Sequence, residues 1–159
     1  MGARYRCRGW GCYAGSLIFL MRVVLDTNVL LSALLSPHGY PDAIYRAWRA
    51  TRFEVVTSTV QLNELRRASR YPKLKTVLQP HLVGVMIHNL QRALVLDRLP
   101  ALSRAMEADD PFDSFLIAMS IAGEADYLVT GDHRAGLLQR GSVGRARIVT
   151  PAVFCAEAI

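Results

Sequence analysis

Short apolar runs alternate along the chain with longer stretches of helical periodicity. The first run, Val23-Val24-Leu25, ends in Asp26-Thr27-Asn28 and passes at once into Val29-Leu30-Leu31. An unbroken apolar run of this length predicts a strand buried on both faces, and the stretch behind it predicts a helix to residue 35, with Thr27 or Asn28 able to cap it. Ser36-Pro37-His38-Gly39 ends that helix. A second helix starts at Pro41-Asp42 and runs to about residue 50, with Ile44, Ala47 and Trp48 on one face. Phe53-Glu54-Val55-Val56 predicts the second strand, and Thr57-Ser58 caps a helix over 59–69 that turns Val60, Leu62 and Leu65 inward. Pro72 breaks it. A short helix over 74–78 and a longer one over 81–93 lead to a third strand, Leu94-Val95-Leu96. Residues 99–108 carry little pattern. Asp109-Asp110-Pro111-Phe112-Asp113 then opens a helix over 114–122 that Gly123 ends. Tyr127-Leu128-Val129-Thr130 is the fourth strand and closes on Gly131-Asp132. A short helix around Leu137-Leu138, a fifth strand, Arg147-Ile148-Val149, and a helix from Pro151 through Phe154 complete the pattern.

Strand and helix alternate throughout, which predicts an α/β class fold. The expected architecture is a single three-layer α/β/α domain on a central parallel sheet of about five strands, with right-handed crossovers. In such a sheet ligands bind beyond the carboxyl ends of the strands. Asp26 ends the first strand and Asp132 ends the fourth. Asp113 opens the helix that leads into the fourth strand, so it starts at the same edge. Glu64 lies in the first two turns of the helix after the second strand. Four carboxylates from distant positions therefore converge. Each also has a plainer role: Asp26 or Asp113 as a helix cap, Asp132 as a turn residue, Glu64 as an i,i+3 partner of Arg67. Asp110 before Pro111 suits a turn or a cap, and Asp97, Asp109 and Asp126 suit solvent.

Four carboxylates packed together repel one another unless a cation is shared. An all-oxygen ligand set selects Mg²⁺ or Mn²⁺ over zinc. Such an ion activates water and stabilises the charge that develops in phosphodiester cleavage. The remaining composition neither supplies nor opposes this chemistry. The chain has 159 residues, 52% of them hydrophobic, and a net charge of +6, enough for one domain with a core and a mild preference for a polyanion. Cys7, Cys12 and Cys155 match no zinc spacing and no disulfide framework, which suits a reducing, cytoplasmic setting. The four histidines form no i,i+4 metal pair, and no apolar run approaches a membrane span. Residues 1–20 differ from the rest, with Arg4, Arg6 and Arg8, four glycines and no acid. They are expected to be an extension ahead of a functional domain over 21–159 that starts at Met21. Without them sixteen basic and thirteen acidic residues leave +3.

The segments Val-Val-Leu-Asp26-Thr-Asn28-Val-Leu, Thr57-Ser-Thr-Val-Gln-Leu-Asn-Glu64-Leu, Asp110-Pro-Phe-Asp113, Ala125-Asp-Tyr-Leu-Val-Thr130-Gly-Asp132 and Ile148-Val-Thr-Pro151-Ala-Val-Phe154 together resemble a PIN domain. They are similar to the bacterial PIN proteins described as toxins of type II toxin–antitoxin systems, which themselves resemble VapC-type toxins. The resemblance covers nearly all of 21–159. It implies a Mg²⁺-dependent ribonuclease acting on single-stranded RNA, a homodimer, and a small antitoxin protein that blocks the site. It assigns the catalytic and metal-holding acids to Asp26, Glu64, Asp113 and Asp132. Asn28 would steady the first acid and Thr130 would line the site. Arg134 stands where many relatives carry another acid, and residues 1–20 have no counterpart.

RNA needs cations to track its phosphates. Arg66, Arg67, Arg70, Lys73 and Lys75 follow Glu64 and could flank the site, with Arg46 and Arg49 as further candidates. A solvated helix face explains the same charges. Two other functions compete with the nuclease. One is a PIN-like module that binds RNA or protein without cutting. The other is a phosphotransfer fold with an aspartate at a strand end. A nucleophilic-aspartate phosphatase would carry a second Asp where Asn28 stands, and a receiver would end a late strand in lysine, which this chain does not.

Overall fold

The computed structural model describes residues 20–108, 110, 113–133 and 136–159. The expected extension over 1–20 lies, apart from Leu20, outside the described residues, as do Asp109 and Arg134. The chain runs β1 (Arg22–Leu25), α1 (Thr27–Leu35), α2 (Tyr40–Arg49), β2 (Glu54–Ser58), α3 (Thr59–Ala68), α4 (Pro72–Lys75), α5 (Pro80–Gln91) and β3 (Leu94–Leu96). It continues through α6 (Ser114–Ala122), β4 (Tyr127–Val129), α7 (Leu137–Arg140), β5 (Ser142–Val143), β6 (Ala146–Val149) and α8 (Pro151–Ala158).

The strands form one sheet in the order β3-β2-β1-β4-β6-β5, parallel except for β5. From β1 the chain builds outward through β2 to β3. It then returns through α6 and builds the other way from β4. The reversal falls between β1 and β4, which are neighbours in register from Val23 with Tyr127 to Leu25 with Val129. Connections leave such a pair of strands in opposite directions and open a crevice at their carboxyl ends.

Alternation along each strand divides the core. Val23, Leu25, Val55, Val129 and Val149 face a layer that includes Leu30, Ile44, Leu65, Met86 and Phe154. Val24, Val56, Leu128 and Ile148 face the other way, onto Leu116, Ile117, Met119 and Leu137. One layer on each face is the expected three-layer arrangement. Gly123 allows α6 its close approach. A Cβ there would stand 2.5 Å from a Val56 methyl and 2.9 Å from the Met119 carbonyl oxygen.

Several expectations are corrected. Asp26 itself caps α1, accepting from the Asn28 N–H, so Thr27 and Asn28 lie inside the helix. Val60 does not pack inward but is 45% exposed, because it lies about 200° round the helix from Leu62 and about 140° from Leu65, two of the residues that α3 buries. The short helix begins at Pro72 rather than at 74, since proline is favoured in a first turn. A sixth strand, β5, pairs antiparallel with β6 around Gly144, which has φ 56°. Two residues are too few for a periodic signal. Asp126 is not a free solvated acid. It accepts from the Arg22 N–H at 2.9 Å and from Arg145 at 2.7 Å. Arg22 also reaches the Gly123 carbonyl and Glu54, so these groups lock the amino edge of the sheet.

Candidate active site

Asp26 occupies the first position after β1 and is almost wholly buried. Its amide donates to the Val129 carbonyl at 2.9 Å, which continues the ladder with β4 by one residue. Its side chain is held at both oxygens. Oδ1 accepts from the Asn28 N–H at 3.1 Å, and Oδ2 accepts from the Thr130 hydroxyl at 2.8 Å. The Thr130 Oγ1 in turn accepts from the Asp132 N–H at 3.2 Å. One buried hydroxyl thus joins the end of β1 to the loop after β4, across the crevice. Asn28 steadies Asp26 through its backbone. Its side chain helps line a cleft of about 440 Å³ with Val29, Ser32, Pro41, Gly131, Asp132 and Pro151.

Asp113 stands at the N-cap of α6 but makes no side-chain cap bond. Its N–H donates to the Asp110 carbonyl at 3.0 Å. Its Oδ2 is buried without a hydrogen-bond partner, as is the Thr27 hydroxyl beside Asp26. Burial, and then the charges of Asp26, Asp110 and Asp132, push the Asp113 carboxyl up to about 6. Burial also raises Asp26, and the Asp132 charge adds to this. The Thr130 and Asn28 hydrogen bonds act in the opposite direction. Asp26, Asp113 and Asp132 are therefore close enough to feel one another's charge.

Glu64 sits apart from this exchange. It pairs with Arg67 one turn along α3, and its charge is not among those that raise Asp26 or Asp113. Arg66 is half-buried, while Arg70, Lys73 and Lys75 are exposed around the α3–α4 corner. Arg46 pairs with Asp42.

Among the described residues, no three Asp, Glu, His or Cys side chains are grouped so as to hold a metal ion. The donor chemistry nevertheless fits a hard divalent ion. The three aspartates offer oxygen alone, they repel one another without a cation, and one buried carboxylate oxygen has no partner. Gln61 was missed by sequence reasoning. It is buried beneath the site and its side-chain amide reaches the carbonyl of Leu25 at 2.5 Å. The pattern Ser58-x-x-Gln61 is a capping-box signature that marked the helix start without revealing this contact.

Among the described residues no helix is long and apolar enough to cross a membrane. None of the curated proteins compared with the chain matches it. A family model described as PIN domain matches residues 22–134. That span runs from β1 through the loop after β4 and holds every acid considered above. The PIN domain is in general a nuclease fold, and its members typically depend on divalent metals. On the sheet order, the acids at its reversal point and a match over well more than half of its length, the chain belongs to the PIN-domain family.

Proposed function

We propose that the chain is a Mg²⁺- or Mn²⁺-dependent endoribonuclease that cleaves single-stranded RNA. The observation that carries this reading is the meeting of Asp26, Asp113 and Asp132 at the reversal point of the sheet, with Asp113 Oδ2 buried and unpartnered. A bound divalent ion supplies positive charge to the scissile phosphate and acidity to a water molecule. The protein's own groups do the positioning. Asp26, fixed by Thr130 and the Asn28 N–H, would hold the ion from the floor of the crevice. Asp113 and Asp132 would hold it from the α6 and β4 sides. Glu64, released from Arg67, would add a fourth carboxylate. Arg66, Arg67, Arg70 and Lys73 would bind backbone phosphates as the RNA leaves the acids. The likeness to VapC-type motifs supports a role as the toxin of a toxin–antitoxin pair in the cytoplasm, with a homodimer and an antitoxin that covers the acidic edge. That part rests on analogy between folds and motifs.

A non-catalytic PIN-like module that binds RNA or protein is the second reading. Two observations favour it: among the described residues no three Asp, Glu, His or Cys side chains are grouped to hold a metal ion, and Glu64 is engaged by Arg67. Cleavage of a labelled single-stranded RNA, with Mg²⁺ or Mn²⁺ against EDTA, separates the two. The nuclease reading expects metal-dependent cutting by the full chain and none by Asp26→Asn, whose amide still caps α1 and preserves the fold. Absence of both cutting and metal binding in the wild-type chain would overturn it in favour of the binding module.

A further inference from the structure

The peptide unit that joins Leu25 to Asp26 is clamped at both ends. Its N–H, on Asp26, donates to the Val129 carbonyl of β4 at 2.9 Å. Its C=O, on Leu25, accepts from the Gln61 side-chain amide at 2.5 Å. A peptide is planar, so two bonds on opposite sides fix the orientation of the plane from which the Asp26 side chain departs. The β4 bond is ordinary sheet pairing. The Gln61 bond is not. Register between β1 and β2 runs only from Arg22 with Glu54 to Val24 with Val56, while on its other edge β2 stays paired with β3 through Ser58. At Leu25 the backbone of β2 is no longer a partner, and a side chain from the first turn of α3 takes its place.

Gln61 is held in this role by its other contacts. Its Oε1 accepts from the Thr57 hydroxyl at 2.8 Å, which leaves the amide nitrogen directed at Leu25. Its backbone N–H donates to Ser58 Oγ at 3.1 Å. At this position of a capping box the Gln side chain ordinarily returns to the cap residue's own N–H. Here it crosses instead to a different strand. The side chain is 1% exposed, and a buried amide is costly unless its bonds are made. An apolar residue would fill the space but leave the Leu25 carbonyl without its donor.

We infer that Gln61 is a positioning residue for Asp26, setting the angle at which the first acid meets the cation. This rests on the metal-dependent nuclease reading of Asp26. Groups that orient metal ligands are worth about 10–100-fold in affinity or activity. Gln61→Leu should weaken Mn²⁺ binding, read by calorimetry, by about that factor and lower kcat, with KM for RNA unchanged. In the metal-free variant, amide hydrogen exchange should quicken at Asp26 and Asn28 but not at Val24, which lies in the same strand. Gln61→Glu tests the donor in a side chain of the same length. When protonated it can donate to Leu25, so its Mn²⁺ affinity relative to wild type should improve as pH falls. It also stands in for Gln61→Leu should that variant fail to fold. Wild-type affinity, kcat and exchange in both variants would overturn the inference. A wild-type chain that neither binds Mn²⁺ nor cuts RNA would overturn the underlying reading instead.

Discussion

Asp113 illustrates how a site residue can weaken the fold that holds it. Its ordinary value is 3.8, and burial beside Asp26, Asp110 and Asp132 raises it to about 6 in the folded chain. The native state therefore holds this proton more tightly than the unfolded state does. Below about pH 4 both states are protonated and the stabilising preference is complete; as pH rises through about 6 it is lost. Without metal, Asp113→Asn should melt a few degrees above wild type at pH 7.5, given about 2–4 °C per kcal/mol for a domain of this size. The gap should close as pH falls from 6 to 4. If Asp113 holds the proposed ion, added Mn²⁺ should reverse the order, because the variant would lose an anionic ligand. Thermal melts at the two pH values, with EDTA and with Mn²⁺, check all three statements. The same residue shows what a sequence can disclose. An aspartate ahead of an apolar helical run was legible as a helix cap, but its partnerless oxygen depends on neighbours from β1 and β4. Thr130 was legible as a polar end to a strand. That its hydroxyl bonds both Asp26 and the Asp132 amide depends on strands that lie a hundred residues apart in sequence.

Among the elements, β1 and α6 decide where the acids stand. Gly123 ends α6 and sits so close to Val56 that a methyl group must push helix and sheet apart. Its φ of −84° is open to any residue, so space is the constraint. Gly123→Ala should cost about 1–3 kcal/mol, as overpacking does, seen as a lower denaturant midpoint with an unchanged slope. Most elements were legible because their signals are local: apolar triplets for β1 and β3, prolines at the starts of α2 and α8, and a glycine after α6. The misses have local causes too. β5 is two residues long and exists only because β6 offers it an edge. Val60 looked inward because it is apolar, but the 3.6-residue period sets it on the opposite side of α3 from Leu62 and Leu65. Asp126 looked solvated because its partners, Arg22 and Arg145, are brought to it only by the sheet.

At the scale of the molecule the positive charge of the chain has a place to act. Arg66, Arg67, Arg70, Lys73 and Lys75 gather at the corner between α3 and α4, beyond Glu64. If RNA runs over this corner, changing Arg66 and Arg67 together to Ala lowers affinity. For single strands the slope of log K against log salt should then become shallower by about 0.7 for each phosphate that is no longer neutralised. A titration at several salt concentrations gives that slope, and an unchanged slope would move the RNA path elsewhere. The strand order has a consequence in time. β1 is made first yet lies in the middle of the sheet, and its neighbour β4 is made about a hundred residues later. A growing chain that has reached residue 108 carries β1, β2, β3 and Gln61. It has no Asp113, no Asp132 and no Thr130 hydroxyl for Asp26. A sheet built in this order leaves Asp26 waiting for the residues that meet it until its second half has been delivered.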